Sequence, residues 1–204
     1  MPSPNTHNET GHVKLFYRRF AIFVPILVVL DQVTKYWIRE TMIYGSRREV
    51  IPGFFNLTYQ ENRGAAWGIL ADAEYRLPFF VVVTIIAFVV ILGYYRNLKE
   101  DEGLMAWSLL SIFAGALGNF IDRLSPRHSV TDFLDFYASG WAAPIARKII
   151  GHNHWPSFNV ADSCITIGVV LFAYHAIVLE VRTRKAAKAA PADESAAEST
   201  EPQP

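Results

Sequence analysis

Cysteine is nearly absent from this sequence: Cys164 is the only one. A single thiol excludes an internal disulfide framework and any multi-cysteine metal site. Neither sign of charge is in excess, with 19 Lys+Arg against 19 Asp+Glu. Without a basic surplus, nucleic acid is not an expected partner, and without an acidic one the chain is not a polyanionic solvating segment. Charge itself is scarce, at 19% of residues against an average near ~25%. No H-E-x-x-H occurs, and His152-x-His154 is a weak pair read as solvated on a loop. No G-x-S-x-G elbow is present, and no serine is singled out to pair with Lys35. No repeat of solenoid length is visible.

Apolar sequence is what the chain has in quantity: 51% of its 204 residues are hydrophobic and 14% aromatic. It is gathered into four runs bounded by charge, 20–38, 77–95, 104–121 and 160–179. Each approaches the ~20 residues that a helix needs to cross ~30 Å of hydrocarbon. As core helices of a soluble protein, the four would need amphipathic sequence to cover them, and too little remains. The first run follows Lys14, Arg18 and Arg19 as a signal peptide would. Asp31 and Lys35 then arrive without a small-x-small cleavage site, so the run reads as a retained helix. The organisation expected is an all-α membrane protein with four transmembrane helices over residues 20–181, between tails 1–19 and 182–204. The second tail is rich in Ala, Pro, Ser and Glu and has no apolar period, a composition that predicts disorder. His175, midway along the fourth run, reads as a hydrogen-bonded core group, and Cys164 as a small buried apolar one.

An even number of spans puts both termini on one side. Leaving out Lys35, nine basic residues fall on that side and nine on the other, a tie under the positive-inside rule. The charges near the termini flank the spans more closely, which leans toward cytoplasmic termini.

Because successive helices alternate in direction, four segments share one membrane face: the end of the first, the start of the second, the end of the third and the start of the fourth. The unusual polar residues all fall there. They are Asp31 and Lys35, the loop Glu61-Asn62-Arg63-Gly64-Ala65-Ala66-Trp67-Gly68, the trio Asn119, Asp122 and Arg123, and the pair Asn159 and Asp162. Asp31 and Lys35 are four apart and can pair on one helix side, and Asn119, Asp122 and Arg123 also share a side. Charged groups at membrane depth face protein or a water-filled cavity. Asp162, third in its helix, lies only ~4.5 Å inside it. The pattern therefore predicts a shallow polar pocket at headgroup depth.

Asp122, Asp132, Asp135 and Asp162 are the acidic candidates for that pocket. Two carboxylates in one poorly hydrated site share a proton, so that one serves as base toward water and the other as acid. The residues alone leave two other roles open. Interhelical polar pairing, such as Asp31–Lys35 or Asp122–Arg123, is one. A proton-coupled transporter using the carboxylates as a relay is the other, although such sites lie at the midplane of repeated or broken helices. Between Asp122 and Asp132 as partner of Asp162, Asp122 adjoins Arg123, which would hold it ionised as an anchor. Asp132 has no Lys or Arg within four residues and is freer to share a proton.

Five blocks in order, Asp31-Gln-Val-Thr-Lys35, Asn62-Arg-Gly-Ala-Ala, Gly118-Asn-Phe-Ile-Asp-Arg123, Val130-Thr-Asp-Phe133 and Phe158-Asn-Val-Ala-Asp-Ser163, resemble those of the lipoprotein signal peptidases (signal peptidase II). The resemblance implies a four-helix aspartic endopeptidase of the bacterial inner membrane, with both termini cytoplasmic and the site at the outer face. Its partners would be membrane lipid and prolipoproteins, cut just before a cysteine carrying diacylglyceryl; no cofactor, metal or nucleic acid is implied, and a monomer is expected. By the same resemblance Asp132 and Asp162 would be catalytic. Asn119, Asp122, Arg123 and Asn159 would orient them, and Asp31, Lys35, Asn62, Gly64 and Ala161 would shape the substrate pocket. A small β-rich extracytoplasmic subdomain is also implied, and residues 49–58 read as strand around a Pro52-Gly53 turn. Residues 137–156 form a longer loop than the resemblance leads one to expect.

Overall fold

The computed structural model describes residues 6–64, 74–99 and 101–198. Five helices and three strands follow in the order α1 (Thr6–Thr41), β1 (Arg47–Ile51), β2 (Phe55–Asn62), α2 (Arg76–Arg96), α3 (Gly103–Leu124), β3 (Val130–Phe136), α4 (Ala142–Ile150) and α5 (Val160–Glu198). Among the described residues, four helices are long and apolar enough to span a membrane: Tyr17–Thr41 within α1, all of α2 and α3, and Val160–Lys185 within α5. The run in α2 is rich in Val, Ile and Phe, which favour strands in water. In hydrocarbon the backbone must satisfy its own polar groups, and a helix does so within one segment. Pro78 falls in the first turn of α2, where its missing N–H leaves no bond unmade.

The packing is built around α3, which meets α1, α2 and α5. Small residues bring α3 and α5 together. A Cβ at Gly115 or Gly168 would collide with the backbone of the facing helix, and Ser108 Oγ donates to the Gly168 carbonyl at 2.8 Å. Such close approach is how helices associate where lipid removes the hydrophobic drive. An apolar cluster of Val24, Tyr95, Leu98, Met105, Leu110 and Phe113 fills the bundle end away from the sheet. By contrast α2 buries only Tyr95, as expected of a helix facing lipid.

The strands form one antiparallel sheet in the order β1-β2-β3. The β1–β2 connection turns at Gly53, whose φ of 76° suits glycine, so the expected Pro52-Gly53 turn is present. The strand expectation at 49–58 resolves into a hairpin reaching from Arg47 to Asn62. Ile38 and Met42 at the end of α1 pack with Phe133, seating the sheet on the bundle.

The structure adds detail to several sequence expectations and changes one of them. Along the segment expected as a tail, α5 continues to Glu198. Its Ala-rich sequence has high helix propensity, the span supplies the nucleus, and Arg184 pairs with Glu180 one turn back. The first helix begins at Thr6. The enlarged loop at 137–156 contains α4, closed by Gly151 in the left-handed conformation at φ 81°. His175 is half-buried, but its Nδ1 has no hydrogen-bond partner, against the expectation of a bonded core group. Ala65, Ala66, Trp67 and Gly68 of the loop before α2 lie outside the described residues.

Candidate active site

The site begins on one side of α1, where Asp31, Lys35 and Arg39 recur every four residues. Lys35 is fully buried, and its ammonium has three acceptors at hand: Asp31 Oδ2 at 2.8 Å, Asp122 Oδ2 at 2.9 Å and Asn119 Oδ1 at 2.9 Å. An ammonium has three N–H groups, so each has a partner. Arg39 adds a second cation 3.8 Å from Asp122 Oδ1 and donates to Thr131 Oγ1 at 3.1 Å. The expected Asp31–Lys35 pair is present. The expected Asp122–Arg123 pair is corrected: Asp122 turns to Lys35 and Arg39 on α1. Arg123 instead lies with its guanidinium 4.5 Å from the Phe80 ring centroid and reaches the Gly64 carbonyl at 3.4 Å. Adjacent residues on a helix point about 100° apart, so neighbours in sequence need not meet.

The start of α5 is tied to the same cluster. Asp31 Oδ1 accepts from the Ala161 backbone N–H at 2.9 Å, taking up a donor that the first helical turn leaves free. A Cβ at Gly118 would run into the Asp31 carboxylate, so glycine there lets α3 pass close. Asn159 and Asp162 bond reciprocally. Asn159 Oδ1 accepts from the Asp162 N–H at 2.9 Å, and Asp162 Oδ2 accepts from the Asn159 N–H at 3.2 Å. This is the geometry of a capping box, here built from Asn and Asp. The Asn-x-x-Asp spacing thus fixes the Asp162 carboxylate at the N-terminus of α5.

Asp132 comes from β3 and is buried, while Asp162 is half-buried. Each carboxylate is held by asparagine. Asn159 Nδ2 donates to Asp132 Oδ1 at 2.8 Å, Asn62 Nδ2 to Asp132 Oδ2 at 3.2 Å, and Asn119 Nδ2 to Asp162 Oδ1 at 2.7 Å. The amide orientations follow from their other partners. Lys35 occupies Asn119 Oδ1, so the Asn119 NH2 must face Asp162; the Gly64 N–H occupies Asn62 Oδ1 at 3.0 Å, so the Asn62 NH2 faces Asp132. Burial first, and then the nearby charge of Asp162, push the Asp132 carboxyl up to about 7.

Asp132 and Asp162 line one cavity of about 560 Å³ together with Asn62, Gly64, Asn119 and Arg123. Its lining passes from these polar groups to Ile165, Thr166 and Ile167 on α5, and Trp155 and Pro156 close another side. Of the residues singled out from the sequence, Asp31, Lys35, Asp122, Asn159 and Ala161 lie behind this wall and hold it. Asp135 is elsewhere: it accepts from Asn56 Nδ2 at 3.0 Å and meets His154 Nδ1 at 2.8 Å on the far side of the sheet. His154 is thus engaged with the fold, against its expected solvated state. Among the described residues, no three His, Cys, Asp or Glu side chains converge as a metal site would require.

Three contributors escape a reading of the sequence. Arg39 continues the four-residue spacing of Asp31 and Lys35, a signal that was available. Gln32, which donates to Asp31 at 3.1 Å and to the Gly118 carbonyl at 3.1 Å, offers no such signal. Neither does Trp155, which belongs to the enlarged loop.

A four-span bundle capped by a small sheet, with two carboxylates facing one cavity at the bundle's end, defines a multi-pass membrane protein with a paired-aspartate site. A family model described as signal peptidase (SPase) II matches residues 23–178. The lipoprotein signal peptidase of Geobacter sulfurreducens is 46% identical over 170 residues, covering 83% of this chain and 98% of that protein. That of Geobacter metallireducens is 42% identical over 169 residues, covering 83% and 96%. A solved structure described as a bacterial membrane enzyme at 2.3 Å resolution superposes with a TM-score of 0.65 at 37% identity, over 78% of this chain and 87% of that one. The chain belongs to the signal peptidase II family.

Proposed function

We propose that this peptidase cleaves the signal peptide from prolipoproteins by an aspartic mechanism in which Asp132 and Asp162 are the catalytic pair. The observation that carries the proposal is that two carboxylates from different elements face one cavity, each oriented by asparagine donors. At neutral pH Asp132 retains a proton for an appreciable part of the time, since its carboxyl is pushed up to about 7. Asp162 receives N–H groups from Asn119 and Asn159 and lies at the positive end of the α5 dipole, both of which suit a carboxylate.

In the first step Asp162 takes a proton from a water while its oxygen adds to the scissile carbonyl carbon. Asp132 gives its proton to the carbonyl oxygen, which yields a neutral tetrahedral diol. In the second step Asp162 returns its proton to the leaving nitrogen as the C–N bond breaks, and Asp132 recovers its own from the diol. The pair ends as it began.

The substrate bond is the one preceding a diacylglyceryl cysteine. Two acyl chains would hold that cysteine at headgroup depth, and the cavity supports this by running from the carboxylates onto the apolar Ile165 and Ile167. In this reading the termini are cytoplasmic, the site opens at the outer face of the inner membrane, and the enzyme works as a monomer. The transporter alternative has no support from the relatives. The test is to incubate purified protein in detergent with a precursor peptide, with and without diacylglyceryl on the cysteine. Cleavage of the lipidated peptide alone is expected; equal cleavage of both would remove the lipid from the recognition.

A further inference from the structure

The enlarged loop between β3 and α5 extends from the sheet as a hairpin. Its base is closed by Ala138 N–H to the Asn153 carbonyl at 2.8 Å, by Trp155 N–H to the Phe136 carbonyl at 2.7 Å, and by Tyr137 stacked on His154. Above that base stands α4, against which, among the described residues, no other helix or strand packs closely. The helix turns Ala142, Ala146 and Ile150 toward a groove shared with Phe54 and Tyr137. The side about 100° round from it carries Ile145 and Ile149, 51% and 76% exposed, and Trp141, 83% exposed, stands just before the helix at the edge of the groove. Lys148 is exposed beside that stripe and Arg147 on the side away from it, and no Asp or Glu occurs between Asp135 and Asp162.

We infer that α4 is an interfacial helix: Trp141, Ile145 and Ile149 sit in the bilayer surface on the side where the cavity opens, and Arg147 and Lys148 lie against anionic phospholipid headgroups. The charge balance of the segment fits no cationic partner and does fit an anionic surface. An apolar stripe bordered by basic residues, with tryptophan at its end, is the pattern of helices lying in the interface plane. The hairpin springs from β3 and returns to α5, so it leaves and rejoins the bundle at the end where the spans meet headgroups. Trp155 at the hairpin base lines the Asp132–Asp162 cavity, so a seated α4 also fixes one wall of the site.

The test uses the full chain carrying Ile149→Cys, labelled with an environment-sensitive fluorophore, in nanodiscs of phosphatidylcholine with or without phosphatidylglycerol. Cys164 is buried, and the unsubstituted chain sets the background labelling. Lipids spin-labelled near the headgroup are expected to quench the probe more strongly than lipids labelled near the chain end, and iodide in solution to quench it weakly. Anionic discs should give the stronger quenching, and Arg147→Glu with Lys148→Glu should remove at least about half of it there. Strong iodide quenching with no effect of labelled lipid would overturn the inference. Energy transfer between labelled copies without lipid quenching would overturn it in favour of a protein interface. Equal quenching in both lipid compositions would overturn the assignment to anionic headgroups. Because nothing is cleaved in the assay, these outcomes are independent of the catalytic proposal.

Discussion

Asn159 Nδ2 lies 2.8 Å from Asp132 Oδ1, while the same residue caps the helix on which Asp162 stands. One asparagine therefore sets the position of both carboxylates, one through its side chain and the other through the turn that it closes. Their relative geometry is a property of the fold rather than of two independent rotamers. What each carboxylate contributes can then be separated by substitution.

Asp132→Asn and Asp162→Asn should each lower turnover by at least about 10³-fold, because an amide cannot exchange the proton that both steps require. Both variants should still insert and fold. Near wild-type cleavage of a lipidated precursor by either one would remove that residue from the catalytic pair.

The Asp132 variant carries a second expectation. Its carboxyl binds a proton more tightly folded than unfolded, since burial raises it from 3.8 to about 7. Its stabilising contribution is fully present below 3.8 and is lost as pH rises through about 7. Asp132→Asn removes that dependence, so its melting temperature relative to wild type should climb between pH ~4 and ~7. Parallel melting curves in detergent across that range would contradict the burial argument.

Lys35 joins three partners on two helices, so its loss should be structural first. Lys35→Met leaves Asp31 buried without its cation and Asp122 with Arg39 alone, at a cost of about 3–5 kcal/mol. Asp122→Asn should be milder, since Lys35 keeps two acceptors. Thermal unfolding of both variants in detergent, set beside their turnover, checks this. An Asp122→Asn variant with unchanged melting and no activity would instead make Asp122 a reacting group.

How far the sequence discloses this site depends on whether partners are near in the chain. Asp31 with Lys35, and Asn159 with Asp162, are visible because helical spacing places residues three or four apart together. The Lys35–Asp122 pair is not, because it forms only when α1 packs on α3, and the adjacent Arg123 is the tempting wrong partner. The four spans are legible from hydropathy alone. By contrast β3 escapes notice: Asp132 and Asp135 interrupt its apolar pattern, and the strand is buried along most of its length. Helix α4 is missed because nine residues containing Pro144 are too few to establish a period.

In the proposed mechanism Asn119 acts through Asp162, as a positioning residue. Asn119→Ala removes the 2.7 Å donor from Asp162 and one acceptor from Lys35. Turnover should fall by roughly 10–100-fold with KM little changed, because the Asp162 carboxylate loses the donor that aims it. A loss of thermal stability with KM and turnover both impaired would mean that Asn119 only supports the fold.

The pH–rate profile of the wild-type enzyme should be bell-shaped, with apparent constants that belong to the pair. The proposed mechanism has Asp132 protonated and Asp162 ionised at the start of the reaction. As pH rises through about 7, Asp132 loses the proton that it must give to the carbonyl oxygen, and the rate should fall. On the acid side the pair takes up a second proton, no base remains to activate water, and the rate should fall again. The active window therefore reaches toward neutrality, well above where two solvated carboxyls would place it. A strong chelator should not move the profile, because the oxygens of Asp132 and Asp162 already face asparagine N–H groups and, among the described residues, no third ligand converges on them. Assays of a lipidated precursor across pH, with and without chelator, measure both. Activity lost on chelation and restored by zinc would replace the paired-carboxyl mechanism with a metal-bound water.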